Sequence, residues 1–261
     1  MRFSVLASGS RANCTYVESN SAKILIDCGL SGKECEKRLN RLGRSAAELD
    51  AILITHEHSD HIKGVSVLSR RYQIPVFSNG AVDDLCDKFF GYERFSTGEE
   101  FVLKDLDVRS FSVIHDASDP VGFVLKSDGF TFGQATDLGK VTPLVYDALR
   151  FLDALVLEFN HDPDLLLSTH YPWQVKQRIK SSHGHLCNFA AEDFLREIYH
   201  PHLQSVVLAH LSENSNQPEL ALSHARKALP VDTRTIVECG KPSSETTFHG
   251  LSKAFRDQAA A

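Results

Sequence analysis

Long hydrophobic runs are missing from this sequence of 261 residues. Its apolar runs are much shorter than the roughly 20 residues that an α-helix needs to cross a bilayer, so we expect no membrane span. Residues 1–7 become polar too early for a secretory signal peptide. These absences predict a cytoplasmic protein that does not bind membranes.

Closely spaced cysteine pairs are missing as well. The six cysteines are scattered and none belongs to a CxxC motif, which argues against a zinc ribbon or a thioredoxin-like redox site. Scattered cysteines suit a reducing compartment. We expect most of them to be small buried side chains.

The third absence is an excess of positive charge. The chain has 28 lysines and arginines against 34 aspartates and glutamates, which gives a formal net charge of −6. Overall charge therefore does not indicate a nucleic-acid-binding protein. Net charge is a poor guide for a site that holds two divalent ions, however, because such ions add positive charge where the substrate binds.

What the sequence does contain is an ordinary globular composition, with 42% hydrophobic and 24% charged residues. It has no linker, low-complexity tract or block of like charges, so we predict a single domain over residues 1–261. Residues after about 241 show no clear pattern, and we expect residues 250–261 to fray. Nothing in the sequence indicates an oligomeric state.

Segments typical of strands alternate along the chain with segments typical of helices. This pattern predicts a mixed α/β fold. The predicted strands cover residues 3–7, 15–18, 23–27, 51–54, 75–77, 101–103, 106–114, 121–125, 130–134, 154–157, 205–209 and 234–237. The predicted helices cover residues 31–42, 62–72, 82–89, 141–149, 172–180, 188–199 and 218–229.

The most informative segment is Thr55-His56-Glu57-His58-Ser59-Asp60-His61. It lies between a predicted buried strand and a predicted helix, and such strand ends are where α/β sheets place ligands. His56 and His58 are two residues apart, so both rings can face one point. Asp60 and His61 can face a second point nearby. Two metal ions about 3.5–4 Å apart would satisfy this arrangement; the alternative is a surface turn that is rich in histidine by chance.

Polar residues follow several other predicted strands in the same way. His115, Asp137 and His210 each lie just past the end of a different strand, and Glu158 begins a polar stretch after a fourth. Taken singly, each of these histidines has an alternative reading as a buried core residue with satisfied hydrogen bonds. Their repeated position at strand ends favours a shared site instead.

The segment THEHSDH resembles the HxHxDH motif of the metallo-β-lactamase fold superfamily. The rest of the chain is similar to one bacterial branch, the YycJ-like (WalJ- or VicX-like) hydrolases. The resemblance implies a four-layer αββα sandwich in which two similar halves place ligands along one edge. The stretches that carry it are SGSRANC (8–14), LIDCGLS (25–31), THEHSDHIKG (55–64), HDASDPVGF (115–123), ATDLG (135–139), LEFNHD (157–162), YPWQVKQRI (171–179), GHLCN (184–188) and LAHLSENSNQPELA (208–221).

The resemblance also implies a set of metal ligands. One metal would be held by His56, His58 and His115. The second would be held by Asp60, His61 and His210, and Asp137 would bridge both. Nitrogen and oxygen donors without cysteine suit Zn²⁺ or Mn²⁺, and Fe also fits.

Further roles follow from the same resemblance. Asp27 would accept the remaining N–H of a ligating histidine, and the less favoured alternative is an aspartate that caps a helix or turn. His185, in a segment similar to the family's GHLSN motif, would be the general acid, with His161 and Glu158 as alternatives. Cys187 departs from that motif, in which serine is usual.

Five residues are expected to line a substrate cleft. In relatives the first loop reads closer to SGSSGN, so Arg11 is a departure that adds a positive charge, and we expect it to contact phosphate. Together with a basic track at Arg11, Lys140, Lys176, Arg178 and Lys180, such a cleft would favour nucleic acid. The cleft residues are Ser8, Ser10, Arg11, Asn13 and Asn160.

The resemblance implies a DNA phosphodiesterase, a 5′ to 3′ exonuclease. It would use a metal-bridging hydroxide that Asp60 orients, with His185 protonating the leaving oxygen. Two alternatives remain at this stage. One is a hydrolase of a small phosphodiester, ester or thioester. The other is a metal-binding regulatory protein with little turnover.

Overall fold

The computed structural model describes residues 1–259, without the side chains of residues 258 and 259. Two seven-stranded sheets form its centre. The strands of the first sheet are β1 (Arg2–Ala7), β2 (Cys14–Glu18), β3 (Lys23–Ile26), β4 (Ala51–Leu53), β5 (Pro75–Ser78), β6 (Gly91–Arg94) and β14 (His249–Gly250). Those of the second sheet are β7 (Glu100–Leu103), β8 (Leu106–Ser112), β9 (Val121–Ser127), β10 (Phe130–Ala135), β11 (Ala154–Glu158), β12 (Ser205–Ala209) and β13 (Ile236–Cys239).

Helices cover the outer face of each sheet. Short 3₁₀ turns occupy Ala46–Glu48 and Asp83–Lys88, the second of which we had predicted as a helix. The α-helices are α1 (Gly32–Arg41), α2 (Ser59–Ile62), α3 (Val65–Tyr72), α4 (Pro143–Leu149), α5 (Pro163–Ser168), α6 (Trp173–Lys180), α7 (Asn188–Ile198), α8 (Pro218–Ala228) and α9 (Lys253–Ala259). Among the described residues, none of these helices is both long and apolar enough to span a membrane.

Alternation of side chains along the strands produces the four layers. In β3, Ile24 and Ile26 face the core between the sheets, while Leu25 faces the core under α1 and α3. In β11, Val156 faces the central core and Leu155 faces the core under α4, α7 and α8. Both faces of each sheet are thus apolar, which confirms the predicted α/β class and αββα sandwich. Because the central core takes residues from both sheets, we infer a single domain.

Strand direction brings the ends of many strands to one edge. In the first sheet β3, β4 and β5 are parallel, and β1 runs the same way because it is antiparallel to β2, which is antiparallel to β3. In the second sheet β10, β11 and β12 are parallel, and β8 shares their direction through β9. The loops that follow these strands therefore gather at corresponding edges of the two sheets.

Some predicted boundaries differ from the structure. The helix expected over residues 62–72 is interrupted at Gly64, where a Cβ atom would lie 2.2 Å from the Leu30 carbonyl oxygen. Residues 59–62, at the end of the THEHSDH segment, form α2. Helical structure therefore begins before residue 62, where the apolar periodicity predicted its start. β6 and α5 were not predicted.

The C-terminal segment also differs. Instead of the expected fraying, residues 249–259 form β14 and α9. His249 pairs with Phe3 and its ring stacks on the Phe3 ring at 4.9 Å, and Arg256 donates to Asp153 at 2.6 Å. These tertiary contacts have no local periodicity and were invisible in the sequence. Residues 260 and 261 lie outside the described residues.

Candidate metal centre and active site

The segment of residues 55–61 leaves β4 and turns at once into α2. His58 is the N-cap residue of α2, and Asp60 and His61 lie inside its single turn. A carboxylate is favourable at this end of a helix. His56 and His58 face each other with ring centroids 4.6 Å apart.

A first cluster contains His56, His58 and His115, with one ligand atom from each lying within 4.8 Å of the other two. His115 comes from the loop after β8. Its Nδ1 lies 3.0 Å from the carbonyl oxygen of Gly184, which sets the ring so that Nε2 turns toward the cluster.

A second cluster contains Asp60, His61 and His210. The Asp60 Oδ2 atom lies 3.5 Å from His61 Nε2 and 3.7 Å from His210 Nε2. His210 follows β12 directly and adopts a positive φ of 54°. The two histidine rings are stacked at a centroid distance of 6.1 Å.

Asp137 lies between the two clusters. Its Oδ2 is 3.2 Å from His61 Nε2, and its Oδ1 is 3.2 Å from His210 Nε2 and 3.7 Å from His115 Nε2. It also forms a compact group with His56 and His61. Its carboxylate therefore reaches both clusters.

Asp27 supports the two clusters through hydrogen bonds to Thr55 and a close contact with His61. It is fully buried and accepts hydrogen bonds at 2.8 Å from the Thr55 amide and from the Thr55 hydroxyl. His61 Nδ1 lies at the same distance from Asp27 Oδ2. With its Nδ1 proton directed at Asp27, His61 presents the Nε2 lone pair to the second cluster.

Electrostatics indicate that a cation fits here. Burial lowers the pKa of His56 to about 2, so its ring is neutral and able to donate a lone pair. Burial opposes charge on His210, but Asp137 and Asp60 outweigh it and raise the pKa to about 9. Burial likewise opposes ionisation of Asp60, yet His210 and His61 hold its pKa below the usual value. A neutral His56 ring and an anionic Asp60 are the forms in which these side chains bind a divalent cation.

Buried nitrogen atoms without a hydrogen-bond partner also indicate a cation site. Among the described residues, the buried His56 Nε2 and His210 Nε2 atoms have no hydrogen-bond partner. A buried polar atom without a partner is costly, so such atoms mark a place where a ligand binds. The donors fit divalent metal ions.

His185 borders the site with an 18% exposed side chain. Its Nδ1 lies 2.8 Å from Glu158 Oε1 and 3.8 Å from Asp137 Oδ1. Glu158 is fully buried and also accepts from the Leu138 and Leu186 amides. Glu158 therefore orients the His185 ring through Nδ1, and the Nε2 atom of His185 takes no part in this contact.

Three of the residues expected to line the cleft are buried against the ligand set instead. Ser8 Oγ accepts from the His210 amide at 2.6 Å. Asn13 Nδ2 lies 3.1 Å from Asp60 Oδ2 and 3.0 Å from His61 Nε2. Asn160 Nδ2 donates to the His210 carbonyl oxygen at 2.8 Å. These contacts hold the ligand loops in place.

The other two, Ser10 and Arg11, are exposed. Arg11 Nε lies 2.8 Å from Glu213 Oε1, so its charge is already partly compensated. A phosphate contact by Arg11 stays a prediction.

Two contributors were not assigned a role from the sequence. Thr55 connects Asp27 to the ligand segment. Asp116 Oδ1 lies 3.1 Å from His115 Nε2, and its Oδ2 accepts from Arg178 Nε at 2.6 Å. Both are neighbours of predicted ligands in the sequence, and that adjacency was the available signal.

The scattered cysteines include a cluster. Cys14, Cys28 and Cys35 are buried, and their sulfur atoms lie within 4.8 Å of one another in the core under α1. Burial raises the pKa of the Cys14 thiol, in keeping with a neutral core side chain. The metal-site clusters described above contain no cysteine.

A family model described as the Beta-lactamase superfamily domain matches residues 22–211. This chain belongs to that superfamily. Among superfamily members, it is 37% identical over 227 residues to a Bacillus anthracis protein named Exodeoxyribonuclease YycJ, covering 85% of this chain and 86% of that one. It is also 37% identical over 228 residues to Exodeoxyribonuclease WalJ of Streptococcus pneumoniae strain D39, covering 84% and 85%. The resemblance to YycJ-like hydrolases is thereby confirmed.

Solved structures of the superfamily share the fold. The metallo-β-lactamase fold protein YhfI from Bacillus subtilis matches with a TM-score of 0.73 at 16% identity, over 94% of this chain and 99% of that one. Zn²⁺-bound PqqB from Methylobacterium extorquens matches with a TM-score of 0.67, also at 16% identity, over 94% and 99%. Identities this low establish the architecture alone.

Proposed function

We propose that this protein is a metal-dependent phosphodiesterase that removes nucleotides from the ends of DNA in the 5′ to 3′ direction. The observation that carries this assignment is the buried set of histidines and aspartates in two clusters that share Asp137. Relatives that are 37% identical over most of both chains bear the name exodeoxyribonuclease, which supports DNA as the substrate.

Two metal ions would match the donor set. One would be held by His56, His58 and His115, the other by Asp60, His61 and His210, with Asp137 bridging. Zn²⁺ or Mn²⁺ suits these donors, and Fe also fits. When bound, such ions supply Lewis acidity, which makes water nucleophilic near neutral pH and stabilises negative charge on a phosphoryl oxygen.

Asp60 is the residue best suited to orient the attacking water. Its side chain remains 22% exposed while His61 beside it is fully buried. The Asp60 carboxylate is anionic, since His210 and His61 hold its pKa below the usual value despite burial. It would accept a hydrogen bond from the water and direct the lone pair of that water at phosphorus.

His185 is the residue best suited to protonate the leaving oxygen. It is partly exposed, and Glu158 fixes its ring through Nδ1. Glu158 is a weaker candidate because it is fully buried and accepts three hydrogen bonds. His161 is 2% exposed and is also less accessible than His185.

Positive charge near the site supports a polyanionic substrate despite the net charge of −6. Arg178 is exposed, but its charge is partly compensated by Asp116, which contacts His115. Lys180 lies two residues further along α6 and lines a pocket with His185. DNA binding that uses such charges weakens steeply as salt concentration rises.

A digestion time course tests the assignment. The enzyme is stripped with a chelator, reloaded with Mn²⁺ or Zn²⁺, and incubated with end-labelled duplex and single-stranded DNA. We expect stepwise loss of nucleotides from the 5′ end, abolished by chelator. Asp60→Ala should reduce the rate by at least about a hundredfold, because it removes both a ligand and the group that orients water.

Asp232→Ala is the matched control, since Asp232 is an exposed surface carboxylate. Inactivity of a metal-loaded wild-type protein on every DNA substrate would refute the nuclease assignment. Hydrolysis of a small phosphodiester, ester or thioester by that same protein would then assign the site to a small substrate. Inactivity on all of them would favour a regulatory metal-binding protein.

A further inference from the structure

A small pocket opens beside His185, and the function proposed above assigns it no ligand. Its volume is about 130 Å³. We call it the α7 pocket, because the first turn of α7 contributes part of its wall. It is lined by Gly139, His161, Pro163, Lys180, His185, Leu186, Cys187 and Ala190.

The N-terminus of α7 faces this pocket without a side-chain cap. The helix has eleven residues, and its N-cap residue Cys187 makes no capping hydrogen bond within the described chain. The first turn also carries no acidic residue. The Asn188 amide donates to the His161 carbonyl oxygen at 2.9 Å and the Ala191 amide to the Cys187 carbonyl oxygen at 3.0 Å, which leaves the Phe189 and Ala190 amides without a carbonyl partner inside the helix. This helix end is therefore electropositive and open to an anion.

His161 supplies an independent observation at the same place. Its side chain is 2% exposed, it lines the pocket, and its Nδ1 atom has no hydrogen-bond partner among residues 1–259. Leaving a buried ring nitrogen without a partner costs free energy that a bound ligand would recover. Burial lowers the pKa of His161 to about 4, so the ring is neutral and carries one N–H that can donate.

Lys180 adds a full positive charge that nothing nearby neutralises. It is exposed at the end of α6 and forms no ion pair within the described residues. Two carboxylates, Asp162 and Glu158, act electrostatically on His161, and both keep their negative charge while they accept hydrogen bonds from other groups. Asp162 accepts from the Asp164 and Leu165 amides as the cap of α5, and Glu158 accepts from His185 and from the Leu138 and Leu186 amides.

We propose that the α7 pocket binds the terminal phosphate monoester of a DNA strand while the adjacent phosphodiester lies at the metal centre. This inference rests on the proposed function and explains why the enzyme would act at the ends of DNA strands. A monoester carries up to two negative charges and three acceptor oxygens, which match a helix N-terminus, a lysine and a histidine N–H. An internal phosphodiester has less charge and a second ester bond, and it fits this small pocket less well.

Paired substrates test the α7 pocket in the metal-loaded enzyme. The oligonucleotides are identical except for a phosphate at the 5′ end, at the 3′ end, or at neither. For each protein variant we would measure the ratio of kcat/KM for the phosphorylated strand to kcat/KM for the unphosphorylated strand. A general loss of activity cancels in this ratio. We expect wild type to prefer the 5′-phosphorylated strand by about tenfold or more, as for a charge-assisted hydrogen bond.

Two variants should remove the preference. Lys180→Ala deletes the charge, and Lys227→Ala, an exposed lysine near the end of α8, is its control. Ala190→Asp places a carboxylate in the pocket wall, with Ala190→Asn as the uncharged control. Aspartate stabilises the first turn of a helix, so misfolding cannot explain a lost preference. An unchanged ratio in both Lys180→Ala and Ala190→Asp would overturn the proposal.

The outcomes separate the α7 pocket from the function it rests on. Wild type could instead prefer 3′-phosphorylated strands, and Lys180→Ala could abolish that preference. This result would support phosphate binding in the α7 pocket but overturn the 5′ to 3′ direction. If no variant hydrolyses DNA, calorimetric titration of wild type and of Lys180→Ala with thymidine 5′-monophosphate and thymidine distinguishes binding in the pocket from phosphate binding by the metal ions. Equal affinity for thymidine 5′-monophosphate and thymidine would refute the proposal. Inorganic phosphate that binds as tightly as the monophosphate would also refute it, because the pocket would then be a site for free phosphate.

Discussion

At the scale of single residues, the site depends on three residues with unusual backbone angles. Asp27, Asp137 and His210 have positive φ values of 60°, 55° and 54°. Such angles are uncommon outside glycine, although aspartate and histidine tolerate them better than most residues. Asp27 and His210 follow their strands directly, Asp137 lies two residues after β10, and each lies at a left-handed turn beside the proposed ligand set. The surrounding hydrogen bonds compensate the local strain.

Asp27→Asn should reduce metal affinity more than it reduces the free energy of unfolding. Asparagine tolerates the left-handed angle, but it replaces an anionic acceptor that His61 Nδ1 contacts at 2.8 Å. We expect metal affinity to fall about 10–100-fold, measured by competition with a chromogenic chelator. Asp128→Asn is the matched control, since exposed Asp128 has a φ of 50°. Equal affinities in all three proteins would contradict the role given to Asp27.

A buried carboxylate away from the site predicts a pH dependence of stability. Burial would raise the pKa of Glu18, but hydrogen bonds from Arg44 and Tyr16 and the charge of Arg2 lower it. A lowered folded-state pKa stabilises the protein above the unfolded-state pKa, and this stabilisation disappears as pH falls through the folded-state pKa.

Glu18→Gln should therefore reduce the free energy of unfolding by about 2 kcal/mol near neutral pH. The Arg44 Nε contact at 2.6 Å and the Tyr16 hydroxyl bond at 2.7 Å both lose their anionic acceptor. The difference from wild type should narrow in acid, where the wild-type carboxyl is protonated too. Urea unfolding at neutral and acid pH measures it. A difference that is equal at both pH values would assign the loss to packing rather than charge.

At the scale of elements, one close approach positions the metal segment. A Cβ atom on Gly29 would lie 1.5 Å from the Asp60 carbonyl oxygen, so the loop after β3 touches the backbone of α2. The Asn13 amide donates to the same oxygen at 2.8 Å. Glycine is required here for space. The positive φ in this loop belongs to Asp27.

Gly29→Ala should displace α2 from the loop. We expect a loss of about 3 kcal/mol in the free energy of unfolding, because the clash is with backbone and cannot be relieved by a rotamer change. Metal affinity should fall as well, since Asp60 and His61 move with α2. Gly91→Ala, whose Cβ would meet Pro75 at an ordinary 3.6 Å, should change both quantities little. Wild-type metal binding by Gly29→Ala would show that α2 is held by other contacts.

At the scale of the whole molecule, the central core joins the two sheets that carry the ligands. Phe132 in the second sheet is fully buried and its ring lies 5.1 Å from that of Phe3 in the first. The proposed metal ligands come from loops on both sheets, so we expect the site to exist only while the sheets stay packed. This makes the inferred single domain a condition for function.

Phe132→Ala should destabilise the whole protein by about 3–5 kcal/mol, through lost contacts and a cavity between the sheets. We expect calorimetry to show one transition at lower temperature, with equal calorimetric and van't Hoff enthalpies. Val102→Ala, at a 63% exposed position, should change stability by less than about 0.5 kcal/mol. Two separate transitions would contradict the single domain.

Local patterns in the sequence determined the fold class and most strands and helices. The uninterrupted apolar runs in residues 24–26 and 154–157 are typical of a strand with two buried faces, and THEHSDH encodes its donor spacing locally. Resemblance of the other stretches to one family pointed to His115, Asp137 and His210. These predictions required no knowledge of which loops meet.

Only the tertiary structure decided how those residues act together. It buries Ser8, Asn13 and Asn160 behind the ligands, because the ends of β1, β2 and β11 converge there. It also brings His161, Lys180 and the open end of α7 to one pocket, although they lie on separate elements. Contacts between distant segments depend on strand order and direction, and a one-dimensional pattern does not contain that information. The donor chemistry was local in the sequence, whereas the convergence of the site is a property of the packed sheets.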